Sequence, residues 1–89
     1  NEIRLSNEII LKFPDNPIGY ESLAISYLSN SNYIKAIDIL NDAIEKFPEE
    51  YYFYYYLGLS YKKNFKNKEA ISYFLKALEI DADLKNVTQ

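Results

Sequence analysis

Two short segments carry carboxylates, "PDN" (residues 14–16) with Asp15 and "DAD" (81–83) with Asp81 and Asp83. Carboxylates so placed can move protons or hold a cation, but neither segment has the ligand ladder of a calcium loop. Both read as turn and helix-end residues. The chain has no His and no Cys, which removes Ser–His and Cys–His nucleophile systems and the usual zinc ligand sets. Gly19 and Gly58 are its only glycines, too few for a glycine-rich phosphate loop. No catalytic residue, metal site or cofactor is expected, and the chain reads as a non-enzyme. The chemistry left to it is recognition. The segment "YYFYYYLGLSY" (51–61) opens with six consecutive aromatic residues, Tyr51 to Tyr56, more than one buried face can absorb. The segment "KKNFKNK" (62–68) sets four lysines around Phe65 and reads as a solvated turn between elements.

The whole composition narrows the partners. At 89 residues the chain is one small domain or a piece of a larger one. It opens on Asn1 rather than Met, as a piece of a longer or processed protein would. A net charge of -3 argues against general nucleic-acid binding, which a basic domain would suit. No basic-then-apolar leader and no run of about 18 apolar residues occurs, so no membrane partner is expected and a cytoplasmic site is favoured. A protein or peptide partner remains.

The elements that must position these residues repeat. Residues 17–50 lie along residues 51–84 with a period of 34: Tyr20 falls on Tyr54, Leu23 on Leu57, Ser26 on Ser60 and Tyr27 on Tyr61. Ala36 then meets Ala70, Ile37 meets Ile71, and Ala43 meets Ala77, while Ala24 on Gly58 pairs small with small. The same period lays residues 1–14 on 35–48, matching Ile3, Asn7, Ile10, Lys12, Phe13 and Pro14. The chain therefore divides into the second helix of a truncated repeat (1–16), two whole repeats (17–50 and 51–84), and residues 85–89, the start of a further repeat or a tail.

Each whole repeat reads as two helices. Tyr20, Leu23, Ala24 and Tyr27 recur at i, i+3, i+4 and i+7, the spacing of one helical stripe, and Tyr54, Leu57, Gly58 and Tyr61 copy it. The polar segments 29–32 and 63–67 interrupt the pattern before a second stripe begins at Ala36 and at Ala70. Pro14 and Pro48 stop the helices before them, and Asn16 before Pro17 reads as a cap with a first-turn proline. The spacing predicts helices near 2–13, 18–30, 34–46, 52–63 and 67–80. Uncharged aromatic runs also favour strands, but the register of 51–61 with 17–27 carries the helix. The pattern places Tyr54 in the buried stripe and sets Phe53 and Tyr51 to one side, for a stacked neighbour to cover.

Tyr-x-x-Leu-Ala/Gly-x-x-Tyr, then Ala, Leu or Phe, Ala and Pro over a 34-residue period, resembles the tetratricopeptide repeat family. The resemblance covers essentially the whole chain, and departs from the pattern at Ala82, where proline is usual, and at Asn67, where tyrosine is common. It implies an all-α fold, a right-handed α-solenoid of stacked antiparallel hairpins with five helices. It also implies a peptide-binding concave groove lined by each repeat's first helix. The positions on that face are Ile18, Glu21, Ser22, Ile25 and Leu28 in one repeat, and Tyr52, Tyr55, Tyr56, Leu59 and Lys62 in the next. The expected function is a protein-interaction scaffold holding a partner's segment in this Tyr-rich groove. The alternative is a structural role, extending a longer solenoid. The open ends also carry apolar residues, Ile3, Ile9, Ile10 and Phe13 at one and Ile71, Phe74, Leu75 and Leu78 at the other, so self-association through end faces is a further expectation.

Overall fold

Helix boundaries follow from short polar caps and from proline. A computed structural model describes the backbone of residues 1–88 and the side chains of residues 1–83. Five helices follow one another: α1 (Glu2–Lys12), α2 (Ile18–Ser29), α3 (Tyr33–Lys46), α4 (Tyr51–Lys63) and α5 (Asn67–Thr88). Asn1 caps α1 by accepting from the Ile3 N–H at 2.9 Å, and Asn32 caps α3 by accepting from the Lys35 N–H. The Asn16 side chain accepts from the Ile18 N–H at 3.0 Å, while Pro17 sits at φ -68, already set for helix. No strand occurs among the described residues.

The turns inside the two hairpins are copies of each other. Ser31 and Phe65, one repeat apart, both take left-handed φ values of 59° and 62°. In each turn the next residue's N–H reaches back to a tyrosine carbonyl, Asn32 to Tyr27 and Lys66 to Tyr61, both at 2.8 Å. This six-to-one bond closes a helix end that glycine usually serves.

Each helix packs on the next, and α2 also touches α4 directly. The core lies where α3 meets both of these: Ala24, Ile37, Leu40, Ala43, Phe53 and Leu57 form one buried cluster. Rings close its edge, with Phe47 lying 5.8 Å from Tyr20 and 6.4 Å from Phe53 between centroids. Small residues set the helix spacing. Ala24 and Ala36 are fully buried, and at Gly58 a Cβ would come within 2.6 Å of the Phe74 ring. Buried hydroxyls bond to their own helices or to each other. Ser60 donates to the Tyr56 carbonyl at 2.7 Å, and Ser6 bridges to Ser22 at 2.7 Å.

Two sequence expectations change. The last helix does not end near residue 80 but runs to Thr88, because Ala82 stands where a proline would have stopped it. Gln89 lies outside the described residues. Of the six aromatics, Phe53 is the one fully buried, covered by α3, while Tyr54 is only half-buried. Tyr54 stacks on Tyr73 at 6.4 Å, and Tyr73 in turn lies parallel to Tyr61 at 5.3 Å. The tyrosines of the stripe thus form the wall of the hairpin, and Phe53 with Leu57 forms its centre.

Candidate interaction surfaces

Eight of the ten residues assigned to a groove by sequence border three depressions, and Tyr52 and Lys62 border none of them. Ile25, Leu28, Tyr56 and Leu59 meet between α2 and α4, together with Tyr33 and Lys63, around an open cavity of ≈ 450 Å³. Ile18, Glu21, Ser22 and again Ile25 border a second depression against Glu2, Leu5 and Ile9 of α1. Ile25 therefore joins the two. Tyr55 belongs elsewhere: with Tyr51 it borders a third depression, between α4 and α5. Lys62 is exposed and borders none of the three, its place at the helix end being taken by Lys63.

Tyr52 is half-buried, packed on the core cluster with its ring 4.7 Å from that of Phe53. Its phenol is pushed up to about 12 by burial, then by the carboxylates of Glu50 and Glu21 and by a hydrogen bond to Glu50. Burial and Glu21 also raise Tyr56. Burial is the larger cause at both tyrosines, and the Glu21 carboxylate on α2 adds to it. The surface so made mixes apolar and aromatic side chains with serine and tyrosine hydroxyls, with Glu2 and Glu21 toward α1 and Lys63 at the α4 end. Such a face suits a polypeptide, since tyrosine gives a flat apolar ring and a hydrogen bond at small entropy cost.

Among the described residues no group of three or more His, Cys, Asp or Glu could hold a metal ion, and no helix is long and apolar enough to cross a membrane. Every buried side-chain nitrogen and oxygen described has a hydrogen-bond partner.

The 34-residue hairpin of α4 and α5 matches a family known by its sequence pattern, the tetratricopeptide repeat, over residues 51–84. The preceding repeat, 17–50, carries the same stripe in register, and the whole chain shares the fold. A solved structure titled "MamA AMB-1 P212121" superposes with a TM-score of 0.82 at 23% identity, covering 91% of this chain and 48% of that one. The chain thus spans about half the length of the solved chain it matches. No curated protein sequence matches. Together the repeat and the fold support a protein-interaction module, an all-helical solenoid of hairpins.

Sequence reasoning assigned ten residues to one face of α2 and α4; the structure distributes eight of them over three depressions. The Tyr33 and Lys63 contributions follow from where the hairpin turns sit, which a helical stripe does not encode.

Proposed function

We propose that this tetratricopeptide domain is a scaffold, not an enzyme, and holds an extended or helical segment of a partner protein along the face shared by α2 and α4. The observation that carries the reading is the open cavity in which Ile25, Leu28, Tyr56 and Leu59 stand beside Ser29, Ser31 and Lys63. Two successive first helices contribute to it, at the positions the family uses for its concave groove. Tyr56 adds a hydroxyl donor at its edge, and Ile18, Glu21 and Ser22 extend it toward α1. Partner segments with apolar side chains two to four residues apart match this pattern.

The charges on the face select among partners. Ile18, Glu21, Ser22 and Ile25 offer no cation to a C-terminal carboxylate, and Glu21 repels one. Acidic chaperone tails are therefore poor ligands.

The test is a selection of binders from a random peptide display library on the whole chain. Selected peptides are then measured against Ile25→Glu and Leu59→Glu, both at partly exposed positions that leave the core intact. Loss of at least about tenfold in affinity, equivalent to about 1.4 kcal/mol, is expected in each. Equal binding to the wild type and both variants would place the ligand site elsewhere.

A further inference from the structure

The turn between α4 and α5 carries a basic segment that a peptide scaffold leaves unused. Residues 62–68 hold Lys62, Lys63, Lys66 and Lys68, four of the chain's ten basic residues, and no acid. All four lysines are exposed, and among the described residues none pairs with a carboxylate. Phe65 stands at their centre, 91% exposed and at a left-handed φ of 62°.

Local structure accounts for only part of this segment. Lys62 and Lys63 lie in the last turn of α4, where a cation favours the negative end of the helix dipole. Lys68 lies in the first turn of α5 and Lys66 just before it, at the positive end, where the same dipole opposes them. The first repeat makes the same turn with Ser31 at φ 59° and no charge from Ser29 to Asn32. The fold therefore requires neither the ring nor these lysines. Glycine usually serves a left-handed helix end, and a ring held there without cover is a backbone outlier of the kind that points to function.

We propose that this turn docks on the surface of an anionic lipid bilayer, with Phe65 entering the interface and the four lysines on the headgroups. Charge complementarity selects that partner. A lysine near an anionic membrane strengthens binding about fivefold, and an aromatic ring leaving water adds about tenfold. Four lysines and one ring give an affinity on the order of 10³–10⁴ M⁻¹, comparable with one acyl chain, so the contact is reversible. Glu69 follows Lys68 in sequence and, with Asp38, acts on Tyr61, one helical turn in from the tip. Asp15, Glu49 and Glu50 belong to the opposite turns, a 13-residue helix away, which is about 20 Å. That exceeds twice the Debye length of about 8 Å at physiological salt, so these acids do not cancel the tip.

Other polyanions fit less well. A nucleic-acid strand needs a basic track several phosphates long, and here the cations end with the turn. An acidic peptide needs a groove, and none of the three depressions includes Phe65. A flat surface meets a protruding ring directly. The neighbouring turn, whose Ser29 and Ser31 share a depression with Lys63, is uncharged and does not oppose the approach. The sequence expectation of no membrane partner rests on the absence of a spanning segment, and a peripheral contact needs none.

The chain has no tryptophan, so Phe65→Trp sets a single indole at the tip. It is titrated, at up to millimolar lipid, with phosphatidylcholine vesicles with and without phosphatidylserine. The expected result is a blue shift with the phosphatidylserine vesicles alone, reversed by high salt. Vesicle co-sedimentation then compares variants with the wild type. Phe65→Gly should bind about tenfold more weakly yet melt no lower, which separates loss of the ring from loss of the fold. Lys66→Gln with Lys68→Gln should weaken binding about 25-fold, whereas Lys12→Gln with Lys46→Gln, toward the opposite turns, should leave it unchanged. No binding to anionic vesicles, equal binding to neutral ones, an unshifted indole, or wild-type binding by either tip variant overturns the proposal. Tighter binding of a single-stranded oligonucleotide or of polyglutamate through the same lysines overturns it in favour of that partner.

Discussion

Phe53→Ala removes the largest fully buried side chain of the domain. The ring fills the junction between repeats, 6.4 Å from Phe47 and 4.7 Å from Tyr52 between centroids, in one cluster with Leu40 and Leu57. Cutting a buried Phe to Ala loses transfer energy and leaves a cavity, together about 3–5 kcal/mol. A chain of this size has roughly 4–13 kcal/mol of total stability, so the variant forfeits about a quarter of it or more. At about 4–8 °C per kcal/mol for a domain this small, the melting temperature falls by roughly 12–40 °C. Tyr55→Ala, two residues away, is the comparison. Tyr55 is 48% exposed; its ring lies tilted 5.6 Å from that of Phe74 and edge-on 5.7 Å from that of Tyr56, between centroids. Losing those ring contacts costs about 1 kcal/mol. Thermal and urea melts by far-UV circular dichroism decide the matter. Equal losses in the two variants would refute the assignment of Phe53 to the core and Tyr55 to the surface.

Gly58→Ala drives a methyl group into the Phe74 ring and should cost about 1–3 kcal/mol; adding Phe74→Leu recreates the Ala24 and Leu40 pairing of the first repeat, and urea melts should show most of the loss restored. Phe65→Gly should raise stability by roughly 1 kcal/mol, because Phe65 is 91% exposed and held at φ 62°, where a side chain meets its own backbone; a lower urea midpoint would contradict this. The raised phenol of Tyr52 makes stability fall with alkali. The group keeps its proton longer when folded, so its contribution is complete below the unfolded value near 10 and is lost as pH rises through about 12. Tyr52→Phe should flatten the decline in urea midpoint across that window, with Tyr56 and Tyr61, also raised by burial, accounting for what remains.

Helix content and order were legible because two periods reinforce each other: 3.6 residues within a stripe and 34 between repeats. Each expected helix is present, and four of the five end within a residue or two of the structure. The exception is instructive. The end of α5 was drawn by analogy with α3, yet the analogy rests on Pro48, and its counterpart Ala82 permits helix to continue. The direction of each aromatic ring was harder to read. Neighbouring residues on a helix differ by about 100°, so Phe53 and Tyr54 point to different elements, and which is central depends on the neighbour.

That dependence on neighbours ties together the two depressions that border α4. On the α2 side, the position of Tyr55 is Glu21, and the position of Tyr51 is Pro17. The first repeat therefore presents an acid and a proline where the second presents two rings. A tyrosine at 55 has no core to fill inside the hairpin, where Phe74 already lies against Gly58. Its ring instead leans on Phe74 from outside and shapes the rim of the depression between α4 and α5. Tyr56, one position on, turns toward Ile25 and Leu28 of the preceding repeat. The aromatic run thus divides by helical angle: Phe53 locks the repeats, Tyr52 and Tyr56 dress the face shared with α2, and Tyr51 and Tyr55 border the end. A variant at Tyr56 should consequently weaken a ligand of the face shared with α2 and a variant at Tyr55 should not, although the two side chains are adjacent in sequence and their rings lie 5.7 Å apart.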